Sequence, residues 1–161
     1  LPYVSAFSEE SQRWHPVLVM GIAHAAFEDD VYEGFFIPKG SVVVGHAFDI
    51  LHDETVYGQD KDKFRPERFL NSGVGYPLSQ WGFGRRMCPG RYLANGNLFL
   101  ATATILKLFD VLPAKDKDGK DIPVYEDFVG VGNSQPAPFK CLFKPRSEYA
   151  KNLLESKNPI S

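Results

Sequence analysis

Between two segments with a clear helical period lies a stretch, residues 53–88, that has no sustained period of either kind and carries Gly, Pro, Asp and Asn along its length. Loops of that length without secondary structure of their own are uncommon in compact domains, and when ordered they tend to be functional. The feature therefore sets the terms for the rest of the chain: attention falls on residues 53–90 and on whatever holds them in place.

The flanks are easier to read. Tyr3, Phe7 and Trp14 fall at helical spacings, Pro2 suits a first-turn position, and Pro16 ends the pattern by removing a hydrogen bond and clashing. The spacing predicts a helix over about 3–14. Glu33–Phe36 and Ser41–Val44 are aromatic and β-branched runs around Pro38-Lys39-Gly40, a good turn sequence, and predict a β-hairpin. Phe48–His52 reads as one helical turn. From Pro89 the pattern is helical again, with Leu93, Phe99, Ala103, Leu106 and Phe109 on a wide apolar face closed by Val111-Leu112-Pro113. Gly96 inside that helix costs ~1 kcal/mol relative to Ala, which predicts a close packing approach there. Residues 115–121 form a charged turn, the alternation at Phe139, Cys141 and Phe143 reads as a strand with Cys141 in its core, and the last fifteen residues read as a polar tail with an amphipathic turn through Tyr149 and Leu153.

Composition narrows the class. The 161 residues are 43% hydrophobic and 24% charged, which suits a folded domain able to bury ~70% of its unfolded surface. A net charge of -2 gives no footprint for nucleic acid and little for an anionic membrane surface. Two cysteines are too few for a disulfide framework and suit a reducing compartment. The apolar stretches are far shorter than the ~20 residues that span a bilayer, and no signal-type segment is present. A chain that starts at Leu1 rather than Met, already inside a helical pattern, is expected to have lost an N-terminal part.

The chemistry gathers in Trp81-Gly82-Phe83-Gly84-Arg85-Arg86-Met87-Cys88-Pro89-Gly90, where glycines, arginines and one cysteine run directly into a helix start. Backbone N–H groups and the positive end of the helix dipole favour an anion at Cys88, and the arginines add to it. A thiolate is both a nucleophile and a metal ligand. The phosphatase arrangement, with Arg six positions after the Cys, fails because Ala94 stands there. A Cys–His hydrolase is unsupported, since sequence places no histidine beside Cys88. Zinc lacks further ligands at familiar spacings. Haem iron, by contrast, is held by a single protein thiolate while arginines meet the porphyrin carboxylates.

Residues 81–90 resemble the haem-binding loop of the cytochrome P450 monooxygenases, F-x-x-G-x-R-x-C-x-G, at every fixed position but the first, where Trp81 stands for the usual Phe and still offers a large ring. Glu10-Ser11-Gln12-Arg13 is similar to the family's E-x-x-R on its K helix, and Phe64-Arg65-Pro66-Glu67-Arg68-Phe69 to its F-x-P-E-R-F element. Three motifs in the family's order, over residues 1–146, identify the chain as a member of that family, most like its fungal branch.

The resemblance implies a mainly α fold with small β-sheets (α+β), the C-terminal part of the P450 fold: K helix, hairpin, meander, Cys loop, L helix and terminal strands, followed by a polar tail over 147–161. It implies haem b (iron protoporphyrin IX), with Cys88 as axial ligand, Arg86 and His24 toward its propionates, and Trp81 and Gly84 in the loop around it. Glu10, Arg13 and Arg68 are implied as a structural triad, while His15, His46 and His52 are expected to be ordinary loop residues. The implied activity is insertion of one oxygen atom from O2 into a lipophilic small molecule. Electrons come from NADPH through a reductase partner, and the full-length protein sits at the endoplasmic reticulum membrane. The family's oxygen-binding I helix is not in this sequence, so two alternatives stand beside that reading: a truncated, non-catalytic piece with weak or no haem binding, and a thiol-based redox protein using Cys88 without haem.

Overall fold

The computed structural model describes residues 1–70, 73–130 and 132–156. Helix α1 (Pro2–Trp14) starts with proline in its first turn, as its sequence predicts, and is followed by four short strands, β1 (His24–Ala25), β2 (Asp30–Tyr32), β3 (Phe35–Ile37) and β4 (Val42–Val43). Two small helices come next, α2 (Ala47–Leu51) and α3 (Glu54–Tyr57), capped by His46 and Asp53 through bonds accepted from Asp49 N and Thr55 N. Helix α4 (Arg91–Leu108) runs straight into β5 (Phe109–Pro113); β6 (Phe128–Val129), β7 (Gln135–Pro136), β8 (Cys141–Pro145) and α5 (Glu148–Glu155) complete the chain. The result is a mixed helical fold with small antiparallel sheets.

Several expectations are corrected. The hairpin is made by β2 and β3, with Val31 opposite Phe36, and turns at Glu33-Gly34 rather than at Pro38-Lys39-Gly40. Both turn residues have positive φ, 49° and 86°, the two-residue geometry whose twist matches the strands. Residues 42–43 pair instead with β1, His24 opposite Val43. Val111-Leu112-Pro113 does not merely end α4: it lies in β5, which pairs along its whole length with β8, Val111 opposite Phe143. Cys141, at the start of β8, is half-buried rather than core. The end of the chain holds two helical turns, with Ser147 Oγ accepting from Ala150 N and Ala150 buried; residues 157–161 lie outside the described residues.

The long segment 53–88 is not structureless. Besides α3 it folds into 3-10 turns at Pro66–Phe69, Leu78–Trp81 and Gly84–Arg86. What holds it down is largely polar. Buried apolar side chains among the described residues include Ala6, Ala47, Leu51, Tyr57, Leu108 and Ala150, while the largest wholly buried side chains include Arg13, Arg68 and Glu10.

The helix α4 departs furthest from its sequence pattern. Leu93, placed on the core face, is 73% exposed, and no atom lies within 4 Å of where a Cβ on Gly96 would stand, so the expected close approach is absent among the described residues. Across the chain the accessible surface is 11977 Å², against ~8,100 Å² for a compact monomer of 18.1 kDa. Phe27, Phe35, Tyr92 and Leu93 are each exposed by 73% or more. Many large apolar side chains are thus left exposed.

Candidate functional site

Glu10 and Arg13, three apart on α1, share a face, and Arg13 donates through Nε at 2.7 Å and Nη2 at 3.0 Å to the Glu10 carboxylate. Arg68, on the 3-10 turn opened by Pro66, reaches the same carboxylate from the other side through Nε at 3.1–3.2 Å. Pro66 holds Arg65 extended, and Arg65 N donates to Glu10 Oε1 at 2.7 Å. All three side chains are buried, at 0%, 0% and 1% exposure.

One carboxylate facing two guanidiniums leaves donors to satisfy. Arg13 Nη1 donates to Leu51 O at 3.0 Å; Arg68 donates to Tyr57 O at 2.6 Å, Asp60 O at 2.9 Å and Lys63 O at 3.1 Å. The acceptors are backbone carbonyls of residues 51–63, so the irregular segment is gripped by its main chain. The Arg13 guanidinium also lies over the Tyr57 ring at 5.3 Å, and burial raises the Tyr57 hydroxyl above its usual range.

Cys88 is presented two residues before the N-cap of α4, Gly90. Its N–H donates to Trp81 O at 2.7 Å, closing the loop on itself, and its carbonyl accepts from Arg91 Nη1 at 3.1 Å. Gly82 (φ 87°, ψ -165°) and Gly84 (φ 53°) occupy backbone regions that side chains disfavour, which is how so tight a path is followed. A Cβ on Gly90 would stand 3.8 Å from Cys88 Sγ, so the bare glycine leaves the sulfur open on that side.

The thiol opens on a cavity of about 520 Å³. Trp81, Phe83, Arg86 and Cys88 of the loop form one part of its lining; Val17, Leu18, Ile22 and His24, from the segment after α1, form another. The structure thus brings Cys88, Arg86, Trp81 and His24 to one cavity, and Glu10, Arg13 and Arg68 to a separate buried cluster. Gly84 does not line the cavity; it shapes the 3-10 turn before Cys88. The contribution of Val17, Leu18 and Ile22 was not legible in the sequence, where they show no periodic pattern.

The donor set bears on what the cavity can hold. Among the described residues there is no group of three or more His, Cys, Asp or Glu that could hold a metal ion. A metal at Cys88 must therefore arrive with its remaining ligands. The residues fit haem on those terms: a porphyrin would bring four nitrogens, and the cavity wall is largely apolar with one thiol and has Arg86 and His24 in its lining as polar groups able to meet carboxylates.

The other histidines are more than loop residues. His46 caps α2, and His52 stacks on Phe48 with ring centroids 4.0 Å apart. His15 stacks on Phe128 at 3.4 Å, with Nε2 2.7 Å from Ser134 Oγ, and so ties the end of α1 to β6–β7. Burial lowers the proton affinity of His15 and His52; proximity to His52 adds to this at His15.

A family model described as cytochrome P450 matches residues 1–140. Among curated proteins, the chain is 41% identical over 162 residues to the P450 monooxygenase eriA of Hericium erinaceus, covering 97% of this chain and 31% of that protein. It is also 41% identical to the P450 monooxygenases claR of Ampulloclitocybe clavipes, over 96% of this chain and 29% of the relative, and COX2 of Coprinopsis cinerea, over 96% and 30%. The chain spans about 30% of the length of these curated relatives.

Proposed function

The chain belongs to the cytochrome P450 family, and from that premise we propose that it is the haem-thiolate portion of a monooxygenase, in which Cys88 would supply the protein's ligand to the iron. The observation that carries this reading is the convergence of Cys88, Arg86, Trp81 and His24 on one cavity, from a loop and a strand far apart in sequence. Haem bound there would supply activation of O2, with a thiolate ligand donating electron density to the iron. Cys88 would give the thiolate, Arg86 and His24 would meet the carboxylates, and Trp81 and Phe83 would offer their rings as apolar wall. Glu10, Arg13 and Arg68 act at a distance by anchoring the segment that leads to the Cys loop.

At the level of the whole protein, the proposal is insertion of one oxygen atom into a lipophilic small molecule, with electrons from NADPH through a reductase. Residence at the endoplasmic reticulum membrane belongs to the same proposal; among the described residues no helix is long and apolar enough to cross a membrane. A second reading concerns these residues alone: their accessible surface of 11977 Å², well above the ~8,100 Å² of a compact monomer, favours a non-catalytic piece with weak or no haem binding when isolated.

Haem stoichiometry separates the readings. The full-length protein is expected to carry one protoporphyrin IX iron per chain and to consume O2 only with NADPH and a reductase present. A protein that takes up no haem on reconstitution overturns the first reading, and tight, stoichiometric haem binding by residues 1–161 alone overturns the second.

A further inference from the structure

A polar node stands behind the Cys88 cavity, and the motifs do not account for it. The Tyr76 hydroxyl lies 2.8 Å from Gln12 Oε1, 2.7 Å from the Asn95 side-chain amide and 3.0 Å from Trp81 Nε1, joining α1, α4 and the Cys loop at one oxygen. Gln80 Nε2 donates to the same Gln12 oxygen.

Hydrogen counting settles the directions. Indole N–H is a donor only, so Trp81 donates to Tyr76. Gln12 Nε2 donates to Ser8 O at 3.0 Å, which turns Oε1 toward Tyr76 and makes it the acceptor of the single phenolic hydrogen. The structure turns Asn95 Oδ1 toward Tyr76, but a phenol has no second hydrogen for it, so hydrogen counting assigns the Asn95 amide the flipped orientation, with NH2 toward the hydroxyl. Tyr76 then donates once and accepts twice, which uses its full capacity.

Trp81 is also hydrogen-bonded to Cys88 through the main chain. Its ring lines the cavity and its carbonyl accepts the Cys88 N–H at 2.7 Å. We propose that Tyr76 is a positioning residue for Cys88, acting through Trp81: its hydroxyl fixes the indole, and the fixed Trp81 holds both the cavity wall and the backbone that presents the thiol. The inference rests on the haem-thiolate reading only for its meaning in the holoprotein; the placement of the thiol stands without it.

A double-mutant cycle in the full-length protein tests this, with wild type, Tyr76→Phe, Trp81→Phe and the double variant, each change keeping a ring while deleting the polar group. Two rates are read: labelling of Cys88 by iodoacetamide in haem-free protein, followed on its peptide by mass spectrometry, and loss of the thiolate-type Soret band from the reduced carbonyl complex. Each single variant is expected to speed both by about fivefold, the worth of one hydrogen bond, and the double variant to be no faster than either. Multiplying effects, a Tyr76→Phe protein with wild-type rates, or a Tyr76→Phe protein that fails to fold beside a folded Trp81→Phe, overturns the proposal. If the wild type shows no thiolate band while labelling follows the cycle, the haem reading falls and the positioning role stays.

Discussion

Exchanging Glu10 for Gln keeps the shape of the side chain and deletes its charge, taking the shared carboxylate from two guanidiniums at 0% and 1% exposure, of which Arg68 keeps its 3.4 Å contact with Asp60 Oδ1. The amide oxygen of Gln replaces at most part of what the carboxylate accepts now: two bonds from Arg13, one from Arg65 N and the Arg68 contact. Its NH2 group would face donors. Removing one partner of a buried ion pair costs ~3–5 kcal/mol. The remaining carbonyl contacts of Leu51, Tyr57, Asp60 and Lys63 keep each arginine partly satisfied and argue for the middle of that range. A loss of ~4 kcal/mol is about a thousandfold in an equilibrium constant. Native-state proteolysis of the full-length protein reads this directly, because cleavage within residues 51–69 tracks the population in which the segment has come away. Arg65→Ala is the control: its ion pair with Asp60 is 48% and 33% exposed and is worth ~0–1 kcal/mol. Cleavage in the Glu10→Gln protein no faster than in that control would refute the reasoning.

Acid should loosen the tie between α1 and β6–β7. Burial holds the pKa of His15 and His52 below 6.5, so the unfolded chain binds more protons than the folded one in that window. Stability is full above about pH 6.5 and falls as pH drops through the lowered values; urea midpoints should show a smaller acid loss in His15→Phe, and an equal loss would count against the assignment. At the cavity, Arg86→Ala and His24→Ala should each weaken haem binding several-fold in an apoprotein titration without changing the thiolate-type spectrum, as expected for groups that meet carboxylates rather than iron; wild-type affinity in both would remove them from the site.

What could be read from sequence follows the range of the interactions. Helices α1 and α4 were legible as helices because their periodicity and their Pro and Gly boundaries are local, although the apolar face read for α4 was not buried, and Cys88 because its loop is one continuous motif. Glu10 and Arg13 share a face by spacing alone; only the motif around Arg68 brought the third member in. Of the strands, the alternation around Cys141 was legible and lies in β8, but the pairings were not, for the opposite reason. Strands of two residues, as in β1 and β4, carry no period, and the pairing of β5 with β8 joins segments separated by the charged turn. The hairpin was misplaced because Pro38-Lys39-Gly40 is the stronger turn sequence, while Glu33-Gly34 supplies the two positive φ values that a tight hairpin needs. Leu93 was placed inward by its period, yet these residues put nothing over it. The Tyr76 node had no sequence signal: Gln12, Tyr76, Trp81 and Asn95 meet only once α1, the Cys loop and α4 are assembled.

The most direct test of the account is the reduced carbon monoxide difference spectrum of the haem-loaded protein beside that of Cys88→Ser. The account predicts the strongly red-shifted Soret band of a thiolate opposite carbon monoxide in the wild type, and its loss in the variant. The same band in both proteins, or in neither, would contradict the assignment of Cys88 as the iron ligand.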